Sequence, residues 1–155
     1  MMSSSQGYGF VVDVGKVATK NRAGKAVMTV AEQGSLLKPV LIDNIDEQWV
    51  ACVTNIGNLL IFPVAELPIL SKGKGQKLIN IPGKKFQTNE EYMVGIAILS
   101  AQDSLSVNYS NGKTRILKAT EQEPYVGDRA LRGKKLEKKR GYNTIASLST
   151  LRGKR

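Results

Sequence analysis

Three short segments of this sequence set basic side chains beside glycine: Asn21–Val27 (NRAGKAV), Ser71–Leu78 (SKGKGQKL) and Leu131–Glu137 (LRGKKLE). Glycine lets a phosphate come close to backbone N–H groups, and lysine and arginine supply the countercharge. The chemistry these residues suit is contact with a polyanion backbone rather than the reading of bases. An ATP-binding loop is the competing phosphate chemistry, and spacing excludes it. A P-loop runs Gly, four residues, then Gly-Lys-Ser/Thr. Gly112-Lys113-Thr114 has Val107 where the first glycine should stand, and the 71–78 segment has no Ser or Thr in place. The dinucleotide pattern fails as well, because the sixth position of GYGFVV is Val12.

The residue inventory removes most other chemistry. There is no histidine, which excludes Ser-His and Cys-His nucleophile pairs and any His-containing zinc site. The single Cys52 excludes a thiolate cluster and an internal disulfide, and it suits a reducing cytoplasm. No catalytic residue and no metal site is expected in this chain, and no cofactor.

Charge points the same way as the glycine segments. The 155 residues carry 23 Lys and Arg against 13 Asp and Glu, a net charge of +10. Residues 1–110 hold ten basic and nine acidic side chains, whereas residues 111–155 hold thirteen and four. Such a surface attracts nucleic acid first and anionic membrane second. No apolar run approaches the roughly 18–20 residues of a membrane span, and MMSSSQGYGF lacks the basic start and apolar stretch of a signal peptide. The doubled Met reads as a start added to a fragment, so residues 1–6 are expected to be a disordered N-terminal end.

The elements that must position these loops are short and β-like. YGFVVDV, AVMTV, PVLI, WVACVT, LLIF, KLINI, YMVGIAIL, SLSVNY and TRILKA are rich in Val and Ile and are punctuated by Gly, Asn, Asp or Pro. Leu105, Val107 and Tyr109 alternate into Asn111-Gly112, which predicts a β-hairpin with a type I′ turn. VACVTNIGNLLIF repeats the design around Asn55–Asn58. PVAELPIL, cut by Pro63 and Pro68, is a loop with one helical turn at most. LEKKRGYNTIASLSTL is a helix candidate interrupted by Gly141.

Aligning glycines exposes a repeat. Hairpin glycines at Gly9, Gly57 and Gly112 are 48 and 55 residues apart, and the loop glycines Gly24, Gly75 and Gly133 are 51 and 58 apart. Three units follow, beginning near Gly7, Ile45 and Asp103. Repeats of this length built from four strands are propeller-like blades, each burying its apolar face against its neighbours. Trp49, Phe62 and Tyr92, in apolar strand contexts, are expected in the core, as is Cys52.

GYGFVVDVGKVATKNRAGKAVMTV, NIGNLLIFPVAELPILSKGKGQKLINIP and ALRGKKLEKKRG together resemble the C-terminal domain of the A subunits of bacterial type IIA topoisomerases. Within that family they look like the topoisomerase IV branch. The resemblance is strongest at Gly7–Val30 and Asn58–Pro82 and thins over Gly83–Asp103 and after Gly141. The gyrase branch carries a Gln-Arg-Arg-Gly-Gly-Lys-Gly box for full DNA wrapping. The nearest stretch here, Lys72-Gly73-Lys74-Gly75-Gln76-Lys77, is a degenerate version. A gyrase-type wrapping domain is the alternative.

The resemblance implies an all-β β-pinwheel fragment of about three four-stranded antiparallel blades over residues 7–141, with a basic C-terminal tail over 142–155. It also implies double-stranded DNA as partner, bent along a basic rim. The rim residues expected are Lys20, Arg22 and Lys25, then Lys72, Lys74 and Lys77, then Arg132, Lys134 and Lys135, extended by Lys138, Lys139 and Arg140. The run Arg129–Arg140 holds seven basic residues and one acid, Glu137, with Leu131 and Leu136 tying it to the fold. In a parent enzyme of this kind, the catalytic tyrosine precedes anything present here. Its protein partners there are the ATPase B subunit, which is a separate chain, plus another copy of the catalytic one. ATP and Mg act through other domains or subunits, and the place is the cytoplasmic nucleoid. Two readings of other classes compete. An RNA-binding β-barrel would need exposed aromatics on a strand face, and 6% aromatics in apolar contexts argue against it. A protein-interaction propeller would bind its partner independently of salt.

Overall fold

A computed structural model of the chain describes residues 1–11, 34–69, 75–136 and 144–152. Valine and isoleucine runs between turn residues give ten described strands: β1 Met2–Ser3, β2 Tyr8–Phe10, β3 Trp49–Thr54, β4 Asn58–Pro63, β5 Gln76–Lys77, β6 Met93–Leu99, β7 Ser104–Tyr109, β8 Thr114–Leu117, β9 Lys134–Lys135 and β10 Ile145–Leu151. Among the described residues, helix is confined to α1 Gly83–Gln87, α2 Ala119–Gln122 and 3-10 turns at Val64–Glu66 and Glu123–Tyr125. The first 3-10 turn is the single helical turn expected between Pro63 and Pro68.

The strands form three antiparallel sheets in the orders β1-β2-β5, β6-β3-β4-β9 and β10-β7-β8. Strands are exchanged between units. β5 follows the β3–β4 hairpin in the chain yet pairs with β2, and β9 follows β7–β8 yet pairs with β4. The segment after Gly34 runs beside β1, with an isolated bridge from Ser4 to Leu36 and Val40 N–H donating to the Met1 carbonyl at 3.1 Å. Its PVLI stretch is not a regular strand. Pro39 brings no N–H to a ladder.

The middle sheet is buried on both faces, because a neighbour packs against each. Val50, Cys52, Leu60, Phe62, Ile96 and Ile98 meet Leu78 and Ile79 and the first unit. Ala51, Val53, Leu59, Ile61 and Leu99 meet Leu105, Val107 and Leu117 of the third. Trp49 and Tyr92 are half-buried against these clusters and Phe62 is fully buried. Burial pushes the Cys52 thiol pKa up, and its Sγ donates to the Leu60 carbonyl at 3.5 Å, which suits an inert small hydrophobe.

The outer face of the third sheet is different. Where the middle sheet has Ala51, Val53, Leu59 and Ala97, the third has Ser106, Asn108, Thr114 and Ser149 in the same register. Asn108 Nδ2 donates to Ser147 Oγ at 3.1 Å and Ser149 Oγ at 3.2 Å, while Ser106 Oγ donates to Asn108 Oδ1 at 3.1 Å. This face satisfies its own polar groups within the sheet, where the middle sheet's counterpart is apolar.

Several expectations are corrected. Residues 1–6 are not a loose end: Met2–Ser3 is β1, and Ser3 is fully buried. The chain from Ile145 is a seven-residue strand paired along β7, neither helix nor tail. The first hairpin glycine is Gly7, not Gly9. Gly7, Gly57 and Gly112 have φ of 90°, 99° and 88°, and each donates its N–H back three residues, to Ser4, Thr54 and Tyr109. In the last hairpin Asn111 does not have positive φ, and Tyr109 N–H donates to the Lys113 carbonyl. The turn is therefore type I closed by a glycine bulge, rather than type I′.

Gly133, with φ 78°, has a second constraint: a Cβ there would lie 2.7 Å from the Leu59 carbonyl oxygen. Around Gly112 nothing lies within 4 Å of such an atom. Gly133→Ala should therefore cost roughly 2–4 kcal/mol, the left-handed penalty plus the clash, and Gly112→Ala about 1–2 kcal/mol. Urea midpoints at unchanged m-value measure both. Equal losses would mean that space beside β4 does not matter.

Candidate nucleic-acid interface

Of the twelve basic residues expected on the rim, Lys20, Arg22, Lys25, Lys72, Lys74, Lys138, Lys139 and Arg140 lie outside the described residues. Lys77, Arg132, Lys134 and Lys135 lie within them. Glycine places three of these. Gly75 and Gly133, both at positive φ, bring β5 and β9 against the preceding hairpin, so that Gln76 and Lys77 pair with Gly9 and Tyr8 as Lys134 and Lys135 pair with Leu59 and Asn58. The next N–H of each segment closes the ladder: Leu78 donates to the Gly7 carbonyl at 2.7 Å and Leu136 to Gly57 at 2.8 Å. The described parts of the second and third basic segments, from Gly75 and from Gly133 onward, thus occupy equivalent corners, as the glycine spacing predicts.

Lys134 and Lys135 are exposed on the edge strand of the middle sheet, their side chains on opposite sides of it. Lysine on an edge strand also blunts edge-to-edge pairing, a role that needs no ligand. Lys77 is half-buried, with Nζ donating to Asn80 Oδ1 at 3.3 Å.

The two corners touch. Ala130 N–H donates to the Leu78 carbonyl and Asn80 N–H to the Leu131 carbonyl, each at 2.9 Å. Arg129 Nη1 donates to the Lys77 carbonyl at 2.7 Å. Lys77 and Arg129 are thus joined directly, and Lys134 and Lys135 follow on β9 in the same segment as Arg129. Leu136 anchors it in the core, whereas Leu131 is half-exposed and contributes little anchoring.

Arg132 stands apart from the other three. Its Nη2 donates to Glu91 Oε1 at 2.5 Å, and its Nη1 donates to Glu91 Oε2 at 2.8 Å and to the Asn80 carbonyl at 3.0 Å. Glu91 is fully buried and also accepts from Asn58 Nδ2 at 2.6 Å. Burial pushes the Glu91 carboxyl up, but the hydrogen bonds from Arg132, Asn58 and Thr54 outweigh it and hold the group below its usual range. The guanidinium is committed to the protein's own carboxylate. Glu91, 41 residues from its partner, was not singled out by the sequence, in which Asn58 reads only as a turn residue and Arg129 only as the start of a basic run.

Acidic groups gather elsewhere. Asp43, Glu47 and Asp103 line a cleft beside Gln48, before β3 and between β6 and β7. That is the end of the middle sheet opposite the pairing of β9 with β4. Among the described residues no group of His, Cys, Asp and Glu could hold a metal ion, and no helix is long and apolar enough to cross a membrane.

A family model described as the DNA gyrase C-terminal domain, beta-propeller, matches residues 1–43 and 48–100. The chain belongs to this family. Relatives of this gyrase C-terminal domain-like chain include the DNA topoisomerase 4 A subunits of Pseudomonas aeruginosa, 39% identical over 148 residues, and of Escherichia coli K12, 37% identical over 133. The matches cover 96% and 86% of this chain but only 19% and 17% of those proteins, so the chain spans under a fifth of their length. The solved C-terminal domain of E. coli ParC superposes with a TM-score of 0.80 at 34% identity, over 96% of this chain and 58% of that one. A solved C-terminal domain of DNA topoisomerase IV, at 19% identity, shares the fold with a TM-score of 0.73 over 97% of this chain and 45% of its own. The family model stops at residue 100, and the ParC superposition extends the propeller-type fold through the third sheet.

Proposed function

We propose that this domain holds duplex DNA by its phosphates along the basic corners and bends it, as the C-terminal part of the topoisomerase IV polypeptide that carries the breakage-reunion core. The observation that supports the reading is the contact between two equivalent corners, one bearing Lys77 and the other Lys134 and Lys135. Bending by 40–90° costs about 1–6 kcal/mol, offset by the additional phosphate contacts that a curved path permits. In the intact enzyme the bent segment is presented to that core, in other parts of the protein, biasing which crossings are passed during decatenation and relaxation. ATP hydrolysis belongs to a separate B subunit, Mg to the other domains, and a second copy of the present polypeptide completes the assembly. This domain contributes binding and geometry, not bond breaking, and works on the nucleoid in the cytoplasm.

The test is fluorescence anisotropy with two duplexes of unrelated sequence across a salt series. Phosphate contact predicts equal affinities and a log–log salt slope of about −0.9 for each phosphate neutralised. No binding at low salt would overturn the reading and leave the lysines as guards of a sheet edge. Binding that ignores salt would point instead to a protein-interaction propeller.

A further inference from the structure

We propose that Arg132 and Glu91 form a clamp that fixes the angle between the second and third basic corners, making Arg132 a positioning residue rather than a phosphate contact. The inference rests on the DNA-binding reading for its consequence, but its geometry is independent of DNA. One guanidinium ties three segments that are distant in sequence. Through Glu91 it holds the entry to β6, through Asn80 the exit of β5, and through the carboxylate it shares with Asn58 the start of β4. Its own position precedes β9, so it spans the joint between the strand exchanged into the first unit and the strand exchanged into the second.

Two further observations mark this joint. Ala130 has φ 72°, a left-handed conformation that a non-glycine residue keeps only where its surroundings hold it there. Its N–H is bound to Leu78 across the same joint. The carboxylate is also particular to this place. The N–H of Ser5 donates to the Ser35 carbonyl as the N–H of Asn55 donates to Tyr92, so the first-unit counterpart of Glu91 is Gly34. The repeat carries lysines and arginines in every loop, but a buried acid to fasten one of them stands only in the middle unit among the described residues. A buried ion pair adds little net stability, because desolvation offsets much of its attraction. A clamp at one joint is a use that fits that balance.

The test compares the wild-type protein with Glu91→Gln and with the double variant Glu91→Met/Arg132→Met, each checked for a cooperative melt. Glu91→Gln keeps the shape and removes the charge, so one of the two should remain folded. Three readouts are taken: the salt slope of duplex binding, the end-to-end distance of a short doubly labelled duplex by energy transfer, and amide hydrogen exchange without DNA. We expect a salt slope within one phosphate equivalent, about 0.9 units, of wild type, and a wider distribution of end-to-end distances. Exchange at Asn80, Ala130 and Leu136 should be roughly tenfold faster or more as the joint opens locally. A slope lower by a full phosphate with the bend unchanged would overturn the proposal and make Arg132 a direct contact. Unchanged bend and exchange would overturn it too. If the wild-type protein does not bind DNA, the DNA-binding reading fails by itself and exchange alone judges the clamp: faster exchange supports it as a mechanical joint, and unchanged exchange refutes it.

Discussion

Replacing Arg132 alone with methionine should destabilise the protein by about 2–3 kcal/mol: it leaves the buried Glu91 carboxylate without its cation, but Arg132 is 35% exposed and water screens part of the loss. The loss should depend on pH in a direction that the burial of Glu91 dictates. In the wild-type protein the folded pKa of Glu91 lies below its unfolded value. Its contribution to stability is thus present above the unfolded pKa and is lost as pH falls through the folded one. Without Arg132 the largest influence that lowers the pKa disappears, and burial, opposed only by the Asn58 and Thr54 hydrogen bonds, raises the folded pKa relative to wild type. The penalty relative to wild type is then full above that raised pKa and shrinks as pH falls through it. Denaturant titrations from neutral pH down to about pH 4, near the unfolded glutamate pKa, should show the gap between the two proteins narrowing. A constant gap would mean that Glu91 is solvated in the variant.

Converting Lys77, Lys134 and Lys135 together to glutamine should flatten the salt slope by up to about 2.7 units, three phosphates at 0.9 each, and equally for unrelated duplexes. The control is Lys38→Gln with Arg152→Gln. Lys38 is exposed on the segment beside β1, and Arg152 lies near Asp43 and Asp103, away from the basic corner. These two should change the slope by less than one unit, about one phosphate equivalent. If the control loses as much per residue as the triple variant, charge acts as a diffuse cloud and the corner has no special role.

Much of this architecture was legible because the repeat carries strong local signals. The β7–β8 hairpin was readable from the alternation of Leu105, Val107 and Tyr109 into Asn111-Gly112, and the equivalence of the two corners from the recurrence of Gly75 and Gly133 in basic loops. Register errors followed from what local signals omit. Tyr8-Gly9-Phe10 looks like a turn glycine between aromatics, but Gly9 lies within β2, and the bulge glycine is two residues earlier. The strand at Ile145–Leu151 was obscured by its own irregularity. A register shift between Ile145 and Ser147 leaves Ile145, Leu148 and Leu151 three residues apart, which imitates a helical face. At the site, the recurring basic glycine loops picked out Lys134 and Lys135, but as loop residues rather than as the edge strand they form. The fate of Arg132 did not, since nothing near it in the chain announces an acid that tertiary packing delivers from 41 residues away.

The serine and asparagine face of the third sheet has a consequence for geometry. Blades that close into a ring must divide a full circle among them, so a small change at one junction is resisted by all the others. A stack that can end on a polar face is free of that condition. Its curvature is the running sum of its junction angles, and an alteration at one junction is carried outward to everything beyond it. For a duplex laid over such an arc, the sense and pitch of its path would be adjustable by single residues between blades, without any change to the residues that grip it.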